Sequence, residues 1–283
     1  AVRALSGEGT KLEKVFYLTA KTSGRTVAEK ALDDLRDAGA RIKSVTLTAK
    51  DRVCFNARDG KPCDQATCEF ALGYHDRAND AVEDTFRNND AFTRTTIEEA
   101  AQKHTVCPFE LSLDLSNWSD VIVCDYNYVF DPKAFLKRYF LEGTGDYAFL
   151  IDEAHNLVDR ARDMYSAQLS RTQVRRVAQS LKEPVPQVAH VLDTIDAFLK
   201  TQLQRADDEG DGRGWLDRDL PEDLLPLIQR AQAEAEPILA RNSPSPWREE
   251  LLDLFFAFVT FLRVADFYDA HYVTYGEKVG QDF

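Results

Sequence analysis

Two groups of residues in this 283-residue sequence have types and spacings that could do chemistry. The first is Asp152-Glu153-Ala154-His155, which directly follows the apolar run Tyr147-Ala148-Phe149-Leu150-Ile151. A buried strand does not readily hold two adjacent acids inside, so the pair should emerge at its carboxyl end, where open α/β sheets bind ligands. There Asp152 is suited to hold a magnesium ion, often through its waters. Glu153 is suited to orient and deprotonate an attacking water, the division of labour that phosphoryl transfer needs. His155 is placed to couple a γ-phosphate to neighbouring parts of the molecule. The competing reading is structural, because acids after a strand also favour the dipole of the next helix. The apolar strand directly before them is the context the nucleotide motif requires, and it favours the first reading.

The second group is thiol. Cys54, Cys63, Cys68 and Cys107 run C-x8-C-x4-C-x38-C, and Cys124 lies apart inside an apolar run, where it reads as a small core residue. Without a secretory leader an odd set of five cysteines is a poor disulfide framework, and clustered thiols point to metal. Four thiolates suit an iron–sulfur cluster or zinc. The lack of a tight C-x2-C pair leans towards iron–sulfur, while His75 and His104 could stand in as zinc ligands or be ordinary surface or capping residues.

These groups need elements to position them. Residues 15–18, 44–47, 121–124 and 148–151 are short, β-branched or aromatic runs bounded by polar residues, and predict buried parallel strands. Between the first two, Val27, Ala28, Ala31, Leu32 and Leu35 recur at helical spacing and Gly39 supplies a stop, so a helix is expected over 25–38. Strand, helix, strand of this length is a βαβ unit, and the core is therefore α/β. The second and third strands are about 70 residues apart, far beyond an ordinary crossover. Residues 54–108 therefore read as an inserted domain, helical in its later half, with Thr95 and Thr96 as candidate caps. Beyond Ile151 only helical periodicity is visible, clearest over 187–204, 220–240 and 247–275. Pro226 and Pro237 should kink or split the second of these. The third, with Leu251, Leu252, Leu254, Phe255, Phe258, Val259, Phe261 and Leu262, belongs in a bundle.

An apolar share of 44% is ample for a sizeable core, and the length suggests about two domains. No apolar run is long enough to span a bilayer, and residues 1–11 lack a basic-then-apolar leader, so a cytoplasmic location without a membrane partner is expected. The net charge of −13 argues against a broadly basic nucleic-acid coat without excluding a local groove. Much of the bias falls from Ser166 onward, with 20 acids against 13 bases, and reads as solvated helix faces with an acidic loop tip at 207–211.

A thiol-bearing insertion between an early βα unit and a D-E-A-H strand, followed at once by a helical segment, resembles the XPD/DinG family of superfamily 2 helicases. Tyr17-Leu18-Thr19-Ala20-Lys21-Thr22-Ser23 is similar to motif Ia, which touches the backbone of single-stranded DNA. Val45–Lys50 leads through Asp51-Arg52-Val53 into Cys54 as the family enters its first cluster cysteine. Cys107-Pro108-Phe109 is similar to the fourth cysteine with its Cys-Pro-aromatic signature. Asp125-Tyr126-Asn127-Tyr128-Val129-Phe130 matches the asparagine- and tyrosine-rich stretch before motif II, and Asp152–His155 is similar to motif II itself.

The resemblance implies a partial RecA-like motor domain over 1–53 and 109–165. It implies a [4Fe-4S] domain over 54–108, held by Cys54, Cys63, Cys68 and Cys107, and an all-helical arch-like domain over 166–283. It implies a 5′→3′ DNA helicase driven by Mg-ATP and acting on single-stranded and forked DNA, in repair or recombination. Thr22, Ser23, Tyr126 and Asn127 would lie near DNA, where aromatic stacking suits a translocating strand; an ordinary strand-end turn is the alternative for Tyr126 and Asn127. One part of the pattern is missing. No Gly-Lys-Ser or Gly-Lys-Thr occurs, since Gly60-Lys61 is followed by Pro62 and Gly7-Glu8-Gly9-Thr10-Lys11 has its threonine before its lysine. The sequence thus reads as a fragment beginning after the phosphate-cradling loop and ending in the arch, inactive as an ATPase by itself. A non-enzymatic zinc-binding module with a helical interaction platform is the competing reading.

Overall fold

In the computed structural model, which describes residues 12–58, 63–141, 145–208, 213–241 and 243–278, alternate residues of β1 (Leu12–Leu18) face opposite sides of a parallel sheet. Val15 packs against Ala28 and Leu32 of α1 (Thr22–Asp37), with Ile42, Val121 and Val123 in the same cluster. Phe16 points the other way into rings of Tyr139, Phe140, Tyr147 and Phe149, with centroids 5.4–5.5 Å away. The period of two along a strand thus supplies both layers of the core.

β2 (Ser44–Thr46), β3 (Ala91–Phe92), β4 (Val121–Cys124) and β5 (Asp146–Ile151) complete the sheet in the order β3-β2-β4-β1-β5. Every pairing is parallel. Two expectations change here. β5 is an edge strand, with Phe149 40% and Leu150 44% exposed, because only β1 pairs with it among the described residues. The segment read as a separate insertion donates β3 to the opposite edge, with Ser44 opposite Ala91 and Val45 opposite Phe92.

Within that segment lie α2 (Lys50–Val53), α3 (Phe55–Arg58), α4 (Tyr74–Asn88), α5 (Arg94–His104) and α6 (Pro108–Asn117). α5 starts earlier than expected: Thr93 is its cap and accepts from the Thr96 N–H, so Thr95 and Thr96 lie inside the first turn. α6 opens on Pro108, where the missing N–H costs nothing. α7 (Asn127–Phe130) and α8 (Lys137–Phe140) connect β4 to β5, and α9 (Leu157–Met164) follows a 3-10 turn at Ala154–Asn156.

The chain divides into two compact units, Ala1–Met164 and Tyr165–Phe283. In the second, α10 (Arg171–Leu181), α11 (Pro186–Asp208), α12 (Leu225–Ala240) and α13 (Arg248–Ala265) bury Val177, Leu192, Ile195, Ile228, Leu254 and Phe258 in one apolar cluster. Pro226 sits in the first turn of α12 and Pro237 inside it, so the helix starts late and runs on through its second proline. The unit is not all-helical. β6 (Gly214–Asp217) and β7 (Thr274–Glu277) pair antiparallel, and α13 ends at Ala265, ten residues before the expected limit. Such distant four-residue partners leave no hairpin signal in sequence. No helix among the described residues is long and apolar enough to cross a membrane. Gly7–Lys11 and Gly60-Lys61, weighed above as phosphate-loop candidates, and residues 209–211 of the acidic tip lie outside the described residues.

Candidate functional site

Parallel pairing of β1 with β5 places Leu18 beside Ile151, so both strands deliver their next residues to the same edge. Asp152 N–H donates to the Leu18 carbonyl at 2.9 Å, and the Thr19 hydroxyl donates to Asp152 Oδ2 at 3.2 Å. Thr19 is buried. Gly24, in the first turn of α1, lies so close that an added Cβ would strike Thr19 Oγ1 and Asp152 Oδ2. Close approach of a helix start to a carboxylate is what this glycine permits.

Glu153 takes a left-handed backbone, φ 51° and ψ 43°, which is uncommon for a side-chain-bearing residue and turns the chain sharply out of the strand. Its carboxylate is half-exposed and meets Lys21 Nζ at 3.5 Å and His155 Nδ1 at 3.4 Å, both contacts on exposed groups. Exposed pairs of this kind contribute little. The acids therefore project from the carboxyl edge with Asp152 anchored and Glu153 open. That arrangement can bind a hydrated divalent cation and a water beside it.

Thr22 and Ser23 are exposed at the amino end of α1, whose free N–H groups suit a phosphate. The helix that carries them also carries Gly24, so the expected nucleic-acid residues and Asp152 share one edge. Tyr126 is different. It is fully buried, so its ring is not available to stack on a base. Its hydroxyl instead donates to the Asp152 carbonyl and lies 3.4 Å from the Glu153 carbonyl. Asn127 starts α7 with its N–H on Asp125 Oδ1 at 3.1 Å, and its own Oδ1 is buried with no partner among the described residues. Asp125 also pairs with Arg160 at 3.3 Å. Tyr128 reaches the Thr48 carbonyl at 3.4 Å, and burial pushes its phenol up to about 12.

Cys54 follows α2 and Cys107 caps α6, so two thiols sit at helix junctions rather than within helices. Burial pushes the Cys107 thiol up, opposed by N–H groups of Glu110 and Phe109 that donate to its sulfur, and it lies within electrostatic reach of Cys54. Lys50 hydrogen-bonds Cys63 and feels Cys107, which raises its pKa above the usual lysine value. Asn56 Nδ2 donates to Cys68 Sγ at 3.2 Å. Among the described residues no three Cys, His, Asp or Glu side chains gather closely enough to hold a single metal ion. His104 pairs with Asp84 at 2.8 Å, and His75 stacks edge-on against Tyr74. Cys124 is fully buried, and burial raises its thiol far above the usual range.

Sequence reading missed four of these positioning residues. Gly24 early in a helix was a visible signal of a close approach, whereas the Lys50 contact with Cys63 depends on packing and left no local trace. The Thr19 and Tyr126 contacts join strands about 130 and 26 residues apart and left no local trace.

The DEAD_2 family model matches residues 22–174. The chain is 28% identical over 142 residues to the general transcription and DNA repair factor IIH helicase subunit XPD of Schizosaccharomyces pombe, covering 50% of this chain and 18% of that protein. It is 23% identical over 211 residues to a regulator of telomere elongation helicase 1 homolog of Caenorhabditis briggsae, covering 67% and 20%. It is 21% identical over 191 residues to a Fanconi anemia group J protein homolog of Gallus gallus, covering 62% and 15%. The chain thus spans about a fifth of the length of these relatives. A solved structure of truncated XPD aligns with 94% of this chain and 75% of its own, at TM-score 0.48 and 16% identity.

Proposed function

The chain belongs to the DEAD_2 family, and from that premise we propose that it forms part of an ATP-dependent DNA helicase that moves 5′→3′ on single-stranded DNA and opens forked duplex in repair or recombination. The observation that carries the reading is the strand-end junction: Asp152 tied to Thr19, with Glu153 turned outward beside it. In this reading Asp152 holds the magnesium of Mg-ATP, Glu153 orients and deprotonates the attacking water, and His155 senses the γ-phosphate. Thr22 and Ser23 take the DNA backbone at the exposed start of α1, and Asn127 would lie on the motor's DNA face. Residues 1–53 and 109–165 would be the motor portion, 54–108 the thiol domain and 166–283 an arch-like domain.

Cys54, Cys63, Cys68 and Cys107 would hold a [4Fe-4S] cluster. Their chemistry fits: backbone N–H groups donate to the Cys107 sulfur and a lysine ammonium to Cys63, the kind of donor set that stabilises cluster thiolates. One thiolate per iron corner also needs a wider spacing than the four sulfurs of a tetrahedral zinc site. Bound there, the cluster would cross-link stretches of the chain that are distant in sequence.

Anaerobic purification with visible absorption and iron, sulfide and zinc analysis tests the assignment. A brown protein with about four irons and four sulfides per chain is expected. A colourless protein with stoichiometric zinc would sink it in favour of a zinc-holding interaction module. These 283 residues contain no Gly-Lys-Ser or Gly-Lys-Thr, so alone they are expected to show no DNA-stimulated ATP turnover; turnover abolished by Glu153→Gln would refute that.

A further inference from the structure

Glu153 presents a problem that its own side chain does not solve. Its backbone is left-handed, a conformation that a residue with a side chain keeps only where surroundings impose it. Among the described residues its carboxylate has only exposed, loose contacts with Lys21 and His155, so the aim of the side chain is set by the backbone beneath it. That backbone is held from three sides. Leu18 accepts the Asp152 N–H at 2.9 Å. Asn156 donates to the Glu153 carbonyl through its N–H at 2.9 Å and its side-chain amide at 3.2 Å. Tyr126 reaches the carbonyls of both Asp152 and Glu153 from the end of β4.

Tyr126 differs from the other donors in stiffness. Its ring is fully buried and turns about only two side-chain bonds, and it sits two residues beyond the end of a strand in which every residue is buried. Asn156, by contrast, lies in the turn it helps to hold, and its amide bond is exposed. The phenol is thus the one of these side-chain donors that refers the strained turn to a separate, rigid strand.

We propose that the Tyr126 hydroxyl is the positioning group for Glu153: by holding the carbonyls on either side of the left-handed residue, it aims the carboxylate at the attacking water. The inference rests on the nucleotide role given to Glu153 above. Tyr126 is fully buried and its hydroxyl is engaged by backbone carbonyls, so its effect should appear in turnover rather than in substrate binding. A buried tyrosine that merely satisfies its own hydroxyl would affect stability alone.

The test is a double-mutant cycle in the full-length protein, with DNA-stimulated ATPase assays of the parent, Tyr126→Phe, Glu153→Gln and the double variant. Tyr126→Phe keeps the ring and removes only the oxygen. It is expected to lower kcat about tenfold while KM for ATP stays within about twofold. In the Glu153→Gln background the same change is expected to lower residual turnover no further, because the group it positions is gone. Thermal melting of each variant accompanies the assays. Should Tyr126→Phe melt near the assay temperature, the cycle is run cold, where the same non-additivity is expected. Unchanged kcat in Tyr126→Phe, or an equal loss in both backgrounds, overturns the inference and leaves the role of Glu153 standing. Normal turnover in Glu153→Gln would remove that role itself, and with it the inference.

Discussion

The described interiors of the two units differ in kind. The first buries Thr19, Ser44, Thr46, Thr48, Thr85, Ser112, Ser116 and Ser119 among its apolar residues, whereas the second buries apolar side chains alone. Several of these groups are bonded: Thr46 to Glu29 at 2.6 Å, Thr85 to the Ala81 carbonyl at 2.6 Å, Ser119 to the Leu115 carbonyl at 2.9 Å. Both left-handed residues other than glycine, Thr105 and Glu153, also belong to the first unit. Satisfied buried polar groups specify one arrangement, while an apolar helical core gains stability and tolerates repacking. The unit that carries Asp152, Glu153 and Cys54, Cys63, Cys68 and Cys107 is built the first way. The bundle is built the second.

Core truncation should break the comparison most visibly. Leu192 is fully buried in α11, and Leu192→Ala is expected to cost the second unit about 3 kcal/mol. Denaturant unfolding followed by Trp215 and Trp247 should show the loss, while Trp118 reports an unchanged first unit; a shift of all three together would mean the units unfold as one.

A smaller change tests the polar unit. Gly24→Ala places a methyl group against Thr19 Oγ1 and Asp152 Oδ2, where the β-branched, buried threonine cannot swing aside easily. Overpacking of this kind costs about 1–3 kcal/mol. It is also expected to weaken magnesium-dependent nucleotide binding by the full-length protein, measured by titration with a fluorescent ATP analogue.

The smallest expected effect is alkaline. Tyr128 is pushed up to about 12 by burial, and burial also raises Tyr74 and Tyr139. A folded-state pKa above the unfolded value near 10 means that the folded first unit keeps protons the unfolded chain releases. Stability is therefore intact below pH 10 and falls as pH rises towards 12. Tyr128 alone contributes on the order of 1–2 kcal/mol to that loss. In the second unit Tyr272, less deeply buried, is raised in the same direction, so a weaker dependence is expected there. Denaturant midpoints between pH 9 and about 11 measure the difference, and Tyr128→Phe should flatten the first unit's curve.

Where periodicity was strong, sequence and structure agree. β4 occupies 121–124 as expected, α1 lies within three residues of its expected start, and the apolar stripe of α13 enters the core through Leu251, Leu254 and Phe258. Disagreement arises where a neighbour decides. Tyr147–Ile151 reads as buried because its composition is apolar, yet burial depends on a strand on each side, and β5 has one. Tyr126 is placed near DNA by the family resemblance of its Asp125–Phe130 stretch, with a strand-end turn as the alternative. Its hydroxyl is instead engaged by carbonyls that β5 brings across β1.

The sequence by itself determined which residues could do chemistry and the order of elements that carries them. Adjacent acids after an apolar strand, and four thiols in one stretch, are local facts of residue type and spacing. Only tertiary structure decided how those residues are held. The bond from Thr19 to Asp152, the close fit of Gly24, the hydroxyl of Tyr126 beneath Glu153 and the ammonium of Lys50 beside Cys63 all join residues that packing brings together. A side-chain pattern carries information over a few residues along an element, whereas a hydrogen bond across a sheet depends on strand order and register.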